Sequence, residues 1–325
     1  MINPMKPDEY VIGADLGGTH IRVAAVSATG KLSARVKRPS QGSPGYKNVV
    51  KNIRSAIKEV ALKKKSAPLA IGLASAGAID FSKNVVISSP NFPGWKNVPL
   101  AKDAGSVFAC PAILENDANS AALGEGRFGA AKGWDDFVML TLGTGVGGGV
   151  ILNRKIWRGS STSAGEIGHI TVNPGGRLCA CGNKGCLETT ASASGIAASA
   201  RALALSGDYE WLSGQKRRRG IGRIDTELVA RGALLKDPAC LKLLRDAGRD
   251  IGAAMAAVAL ALGVSRFVIG GGAAPAFKFM KPSARKAALS MAYTLTGPKL
   301  KIVSAGLGDD AGIMGAALLA MERIE

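Results

Sequence analysis

Three of the five cysteines and one of the two histidines lie close together in "HITVNPGGRLCACGNKGC" (169–186). One imidazole and three thiolates are a common structural zinc set, and four protein ligands leave no open position for chemistry. The glycines and the proline between the ligands supply tight turns that allow the ligands to converge. The cysteines could instead be core residues, but a glycine-rich loop is a poor place for a core. We predict that a structural Zn²⁺ is bound by His169, Cys179, Cys181 and Cys186.

Two glutamates, Glu166 and Glu188, border this zinc loop. If His169 gives one ring nitrogen to zinc, the other nitrogen becomes an oriented hydrogen-bond donor. The two carboxylates suit the hydroxyl groups of a sugar. Exposed glutamates are commonly only solvated, so that alternative stands. Zinc would hold these three side chains as one rigid group.

Glycine-rich loops follow apolar strands at three places in the chain, "DLGGT" (15–19), "LGTGVGGG" (142–149) and "GGGA" (270–273). Glycines let backbone N–H groups approach an anion closely, and a threonine adds a hydroxyl donor. One such turn is often only a tight hairpin, but three favour a nucleotide site. None has the spacing of a P-loop or of the dinucleotide fingerprint. The candidate phosphate and nucleotide residues are Gly17, Gly18, Thr19, Gly143, Thr144, Gly145, Gly271 and Gly272.

Two aspartates stand at the ends of apolar strands. Asp15 cannot hold a phosphate, but it could hold Mg²⁺ directly or through water. Asp117, in "LENDANSA", lies where a strand gives way to a helix. Asp117 and Asn116 could simply cap that helix, or Asp117 could act as a general base toward a hydroxyl group. In the second case Asn116 and Asn91 could bind neighbouring hydroxyls.

The order of predicted elements is that of an α/β protein. Strands alternate with helices, which indicates an α/β sheet, and the two glycine-turn strand pairs suggest two similar halves. Apolar residues at helical spacing predict a helix over 45–65. A helical region is predicted from about 188 to 262, interrupted by the basic segment 213–223, "SGQKRRRGIGR". A closing helix follows Asp309 and Asp310, where the helix dipole favours anions.

The composition and the apolar stretches limit the classes of protein. The 325 residues carry a net charge of +18, which attracts anions such as nucleic acid, a phosphorylated substrate or an acidic surface, without choosing among them. The first residues lack the apolar core of a secretory signal. The longest apolar stretch, 251–264, is too short to cross a bilayer and predicts a buried helix. We expect a cytoplasmic protein with no membrane partner.

Together, these motifs resemble the ROK family of sugar kinases and regulators, within the actin-like ATPase superfamily. The similarity covers nearly the whole chain and includes, besides the motifs above, "NFPGW" (91–95), "EIGH" (166–169) and "IGGG" (269–272). It implies an α/β fold of two actin-like (ribonuclease H-like) domains around a central cleft. The expected domains are a small one, 1–117 plus 309–325, and a large one with the zinc loop, 118–308.

The resemblance also implies roles for the candidate residues. ATP would lie on the glycine loops with Mg²⁺, Asp117 would be the catalytic base, and a homodimer is expected. The implied sugar ligands are Asn91, Asn116, Asp117, Glu166, His169 and Glu188. The predicted activity is that of an ATP-dependent hexose kinase that phosphorylates the 6-hydroxyl of glucose. One departure is Ala76, which stands where many relatives have proline; it removes no functional group.

Three other functions remain open. The acceptor could be fructose, mannose, allose, N-acetylglucosamine or N-acetylmannosamine, because small changes around the same carboxylates alter specificity. The donor could be inorganic polyphosphate, which would suit the high positive charge. The protein could also be a sugar-responsive regulator, but only about ten residues precede the first strand, too few for a helix-turn-helix domain. We therefore expect no nucleic-acid partner.

Overall fold

The computed structural model describes residues 5–40, 45–295, 297 and 299–324. The strands are β1 (Val11–Leu16), β2 (His20–Val26), β3 (Leu32–Pro39), β4 (Ile71–Ser75), β5 (Ala78–Asp80), β6 (Val85–Ser88), β7 (Ala112–Asn116), β8 (Phe137–Leu142), β9 (Val146–Leu152), β10 (Lys155–Ile156), β11 (Arg266–Gly270) and β12 (Lys301–Ser304). The helices are α1 (Tyr46–Lys64), α2 (Leu100–Gly105), α3 (Asp117–Phe128), α4 (Glu188–Ala191), α5 (Ala193–Ser206), α6 (Glu210–Arg219), α7 (Thr226–Leu234), α8 (Pro238–Leu262), α9 (Phe277–Met291) and α10 (Ala311–Ile324). The predicted α/β class is confirmed.

The chain forms two compact units. The first unit comprises Met1–Asp135, Gly149–Ala164 and Gly306–Glu325, and the second comprises Asp136–Gly148 and Gly165–Ala305. The division falls within β9. The domain boundaries expected from the sequence stay a prediction. Across the described ranges, no helix combines the length and apolar character that a membrane span requires.

Two five-stranded sheets share one pattern of strand order. The first has the order β3-β2-β1-β4-β7 and the second β10-β9-β8-β11-β12. In each sheet a glycine-containing turn joins the first strand along the chain to the next. In the first sheet β1 pairs in parallel with β4, and β4 with β7; in the second, β8 pairs in parallel with β11, and β11 with β12. The two similar halves predicted from the glycine turns are therefore present.

The first sheet lies between two helical layers of the first unit. Because side chains alternate along a strand, Ile12 and Leu16 of β1 join the apolar cluster that includes α1, whereas Val11 joins the cluster that includes α10. The predicted helix over 45–65 is α1, and the residues predicted for its apolar face are buried: Val49, Val50, Ile53, Ile57, Val60 and Ala61.

Helix α10 lies directly on the backbone of the central strands. A Cβ atom added to Gly13 of β1 would collide with the carbonyl oxygen of Ile313, and one added to Gly72 of β4 with that of Ala316. Glycine in a strand commonly marks such a close backbone approach. These two glycines therefore allow α10 to cover the strands that end at the candidate site.

The basic segment 213–223 does not interrupt the helical region as predicted. Ser213 to Arg219 belong to α6, and the helix ends only at Gly220, whose φ is 82°. Lysine and arginine have high helix propensity, and Ser213 is buried, with its hydroxyl donating to the carbonyl oxygen of Ala204 in α5. Arg217 to Arg219 are exposed. The predicted interruption therefore begins only at Gly220, and the first part of the segment is helical and packs on α5.

Candidate active site

The loop between β1 and β2 is a tight turn in the first unit. The Gly17 N–H donates to the carbonyl oxygen of His20 over 3.0 Å. Ser40 braces the turn, because its hydroxyl donates to the Gly18 carbonyl and its N–H donates to the Thr19 carbonyl. Within the described residues, the N–H groups of Gly18 and Thr19 and the Thr19 hydroxyl have no hydrogen-bond partner. They are the donors that this loop could offer to a phosphate.

Asp15, the last residue but one of β1, is a largely buried acid. It pairs in the hairpin register with Arg22 of β2, whose Nη1 lies 3.3 Å from Asp15 Oδ2 and whose Nη2 lies 2.9 Å from Asp309 Oδ2. Only 16% of the Asp15 side chain is exposed. Burial first, and then the negative charge of Asp117, raise the pKa of Asp15 to about 7 against the opposing effect of Arg22. Asp15 and Asp117 are therefore electrostatic neighbours.

Asp117 is the first residue of α3, directly after β7. The N-cap is Asn116, whose Oδ1 accepts from the N–H of Ala118 over 2.9 Å and of Asn119 over 3.2 Å. The Asp117 carboxylate shares the Ala118 N–H at 2.9 Å. The Asn116 side-chain amide also donates to the carbonyl oxygen of Gly77 over 3.3 Å. Of the two predicted roles of this pair, capping is performed mainly by Asn116.

Asn91 lies beside the first glycine loop. A Cβ added to Gly18 would come within 3.1 Å of the Asn91 side-chain Cγ. The next residue, Phe92, is 1% exposed and stacks on Trp95 with 4.3 Å between ring centroids. This buried aromatic pair fixes the segment and leaves Asn91 exposed. The first unit thus brings together all its predicted site residues: Asp15, Gly17, Gly18, Thr19, Asn91, Asn116 and Asp117.

The other two glycine loops are adjacent to each other in the second unit. In the loop after β8, the Gly143 N–H donates to the Gly145 carbonyl over 2.9 Å. The loop after β11 joins it, because the Ala273 N–H donates to the Leu142 carbonyl over 2.8 Å and Gly271, at φ 88°, packs against the Leu142 backbone. A Cβ at Gly271 would have no room there. These contacts place Gly143, Thr144, Gly145, Gly271 and Gly272 on one surface.

Glu188 connects the zinc loop to the second glycine loop. Its Oε2 accepts the Val146 N–H over 2.9 Å, and the same oxygen fills the space that a Cβ at Gly145 would need. The sequence motif predicted only a sugar-binding role for Glu188. Its contact with Val146 therefore adds a structural role that the motif did not reveal.

His169, Cys179, Cys181 and Cys186 form a cluster suited to a metal. Their candidate ligand atoms all lie within 4.8 Å of one another. Cys179 Sγ is 3.6 Å from His169 Nδ1, and Cys181 Sγ is 3.6 Å from Cys186 Sγ. Tetrahedral zinc with Zn–S bonds of about 2.3 Å sets neighbouring sulfurs about 3.7 Å apart. The donor set and its spacing therefore fit Zn²⁺.

The backbone and the thiols of this cluster support the same fit. Gly182 and Gly185 adopt φ values of 93° and 72°, in the left-handed region that glycine favours. Burial first, and then the neighbouring sulfurs, raise the pKa of Cys186 to about 12, so its thiolate needs a cation beside it. His169 turns Nδ1 to the sulfurs and leaves Nε2 3.8 Å from Glu166 Oε2.

Two arginines near the candidate residues were not singled out in the sequence. Arg22 holds Asp15 and Asp309, and Arg158 holds the buried Glu115 beside Asn116. The hairpin register could have indicated Arg22, since it lies opposite Asp15 across the turn. Nothing local could have indicated Arg158.

Comparison with known proteins places this geometry in a family. The profile of the ROK family matches residues 11–323. The chain therefore belongs to the ROK family, as the sequence motifs predicted.

Its relatives include enzymes of nearly the same length. A glucokinase of Thermotoga maritima is 36% identical over 98% of this chain and 99% of its own. The crystal structure of a ROK family glucokinase from Streptomyces griseus in complex with glucose and AMPPNP matches with a TM-score of 0.82 and 32% identity, over 96% of this chain and 99% of that one. A ROK hexokinase from Thermus thermophilus matches with a TM-score of 0.82 and 31% identity, over 97% and 99%.

Proposed function

We propose that this protein is an ATP-dependent hexose kinase that transfers a phosphoryl group to the 6-hydroxyl of glucose. Support comes from relatives named glucokinase that are 34–36% identical over nearly the whole chain. Further support comes from the Streptomyces griseus relative, whose structure holds both glucose and the nucleotide analogue AMPPNP.

The observation that carries the mechanism is the position of Asp117. It follows β7, beside Asp15, and Asn116 performs most of the helix capping. Its carboxylate can accept the proton of the attacking hydroxyl. Asn91, Asn116, Glu166, His169 and Glu188 would bind the remaining hydroxyls and orient the sugar.

The nucleotide would lie on the glycine loops, whose backbone N–H groups and threonine hydroxyls donate to phosphate oxygens. Asp15 is the residue that would hold Mg²⁺. When bound, Mg²⁺ neutralises charge on the transferred phosphoryl group. Zn²⁺ would be held by His169, Cys179, Cys181 and Cys186 and would fix the loop that carries Glu166 and Glu188. A homodimer and a cytoplasmic location stay predictions.

A coupled kinase assay over a panel of hexoses and N-acetylhexosamines, run with ATP and again with polyphosphate, tests the proposal. We expect the highest kcat/KM with glucose and ATP. Asp117→Asn should lower kcat by about 10²–10⁴-fold, the usual contribution of a positioned acid–base group. Asp246→Asn, at an exposed site paired with Lys242, is the control and should leave kcat unchanged. Normal turnover by Asp117→Asn would refute the assigned base, and higher activity with polyphosphate would refute the assigned donor.

A further inference from the structure

Glu115, two residues before Asp117, is a fully buried acid paired with a partly buried arginine. It lies in β7 and is 0% exposed. Arg158 approaches its Oε2 with two groups, Nε at 2.9 Å and Nη2 at 2.6 Å. The guanidinium also lies over the ring of Phe81, 4.9 Å from the centroid. Arg158 is thus fixed in a geometry that a lysine could not reproduce.

The other oxygen of Glu115 is bound to the residues around Asp117. Its Oε1 accepts the backbone N–H of Asn116 over 2.9 Å and the side-chain amide of Asn119 over 2.9 Å. The first donor belongs to the residue directly before Asp117. The second belongs to Asn119, in the first turn of α3, whose own backbone N–H donates to Asn116 Oδ1. Glu115 therefore holds the chain immediately before Asp117 and the turn that follows it.

Burial of the Glu115 carboxylate destabilises the fold unless all of its hydrogen-bond donors are present. Burying a carboxylate costs several kcal/mol even after relaxation, and a single missing partner leaves most of that cost uncompensated. Here four donors, two of them from Arg158, occupy the carboxylate. An apolar residue could fill the same space without this penalty, so stability alone does not explain the pair.

We propose that Glu115 and Arg158 are positioning residues for Asp117. They fix the peptide before Asp117 and the first turn of α3, so that the Asp117 carboxylate keeps one direction relative to the bound hydroxyl. The inference rests on the proposed function, because it requires Asp117 to be the base. Neither residue needs to touch the substrate.

Kinetics of Glu115→Gln and Arg158→Met test this role. We expect kcat to fall by about 10- to 100-fold, because a misplacement of about 1 Å can cost that much, while KM for ATP stays unchanged. Arg158→Lys keeps the charge but loses the paired contact, and should give an intermediate kcat. If Glu115→Gln or Arg158→Met does not fold, Arg158→Lys still tests the role, because it keeps both charges.

The decisive measurement repeats Glu115→Gln in the Asp117→Asn background. If Glu115 acts through Asp117, the double variant turns over no more slowly than Asp117→Asn alone, since residues of one unit are not additive. A general structural defect would lower both backgrounds by the same factor.

Glu125→Gln is the matched control. Glu125 lies in α3 and, like Glu115, is 0% exposed, but its carboxylate accepts the backbone N–H groups of Ala130, Gly306 and Leu307. The variant should unfold at a lower temperature than the wild type, yet keep normal kcat below that temperature. The proposal is overturned if Glu115→Gln keeps wild-type kcat, or loses the same factor in both backgrounds. Full activity of Asp117→Asn would instead refute the assigned base, so the two failures are distinguishable.

Discussion

Asp15 should reduce the stability of the fold at neutral pH, and its replacement should reveal by how much. Burial raises its pKa from 3.8 to about 7. The folded state therefore keeps a proton between pH 4 and 7 that the unfolded chain has released. The destabilisation caused by Asp15 is therefore absent below pH 4, grows as the pH rises, and reaches its full size above pH 7.

The size of the effect follows from the same shift. Raising a pKa from 3.8 to about 7 corresponds to about 4 kcal/mol at high pH. Because 16% of the side chain is exposed and water can relax around it, we expect about 2–4 kcal/mol. Asp15→Asn removes the charge and keeps the shape. Arg22 retains Asp309 as a partner, so the variant leaves no isolated cation.

Urea unfolding of the wild type and of Asp15→Asn between pH 4 and 8 measures this difference directly. The variant should gain stability relative to the wild type as the pH rises, while losing kinase activity if Asp15 holds Mg²⁺. Titrating groups remote from Asp15 are present in both proteins and largely cancel.

Asp80→Asn provides a control of opposite sign. Hydrogen bonds from the Ser82 hydroxyl and from Lys83 lower the pKa of Asp80 to about 2, so its charged form stabilises the fold above pH 4. Between pH 4 and 8 this variant should therefore be less stable than the wild type by a nearly constant amount, and the difference should shrink only below pH 4. A pH-independent difference for Asp15→Asn, or a loss of stability at pH 8, would refute the argument from burial.

Three further predictions concern the metal, the packing of α10 and the second glycine loop. Elemental analysis should find about one zinc per chain, lost in Cys181→Ser and retained in Cys110→Ser; zinc absent from active wild type would contradict the site. Gly72→Ala should destabilise the protein by about 1–3 kcal/mol in urea unfolding, because the methyl group meets the Ala316 carbonyl, whereas Gly222→Ala, with open space around it, should not. Glu188→Gln should raise KM for ATP as well as for the sugar, since Glu188 holds Val146; a change confined to the sugar would show that this contact is dispensable.

The fold was largely predictable where the sequence pattern is long. The 19 residues of α1 provide five helical turns of apolar spacing, and their buried face was identified correctly. Short elements were not identified: β5 has 3 residues and β12 has 4, too few for a period to be measured. Those strands depend on pairing with neighbours. The prediction for segment 213–223 was wrong for another reason. Its high charge suggests a loop, but lysine and arginine favour helices.

The candidate site also has features that the sequence predicted and features that it did not. The clustering of His169 with the three cysteines and the tight glycine turns were predictable because these residues are concentrated in short segments. Contacts between distant segments were not. Glu115 and Arg158 are 43 residues apart, and no local pattern links them. The sequence motif predicted that Glu188 binds the sugar. It did not predict the hydrogen bond from the Val146 N–H to Glu188, because the two residues are 42 positions apart.

Three buried or largely buried acids of the first unit differ in how their charge is compensated, and this difference is related to the proposed function. Glu125 is satisfied by three backbone N–H groups, and Glu115 by Arg158 with two further donors. Among the described residues, Asp15 has only the 3.3 Å contact with Arg22. It is buried and faces the charge of Asp117, and its pKa rises accordingly. A fold selected only for stability would have compensated all three. The acid left poorly compensated is the one beside the proposed base, as expected where a site gives up stability to keep a carboxylate available for a bound cation.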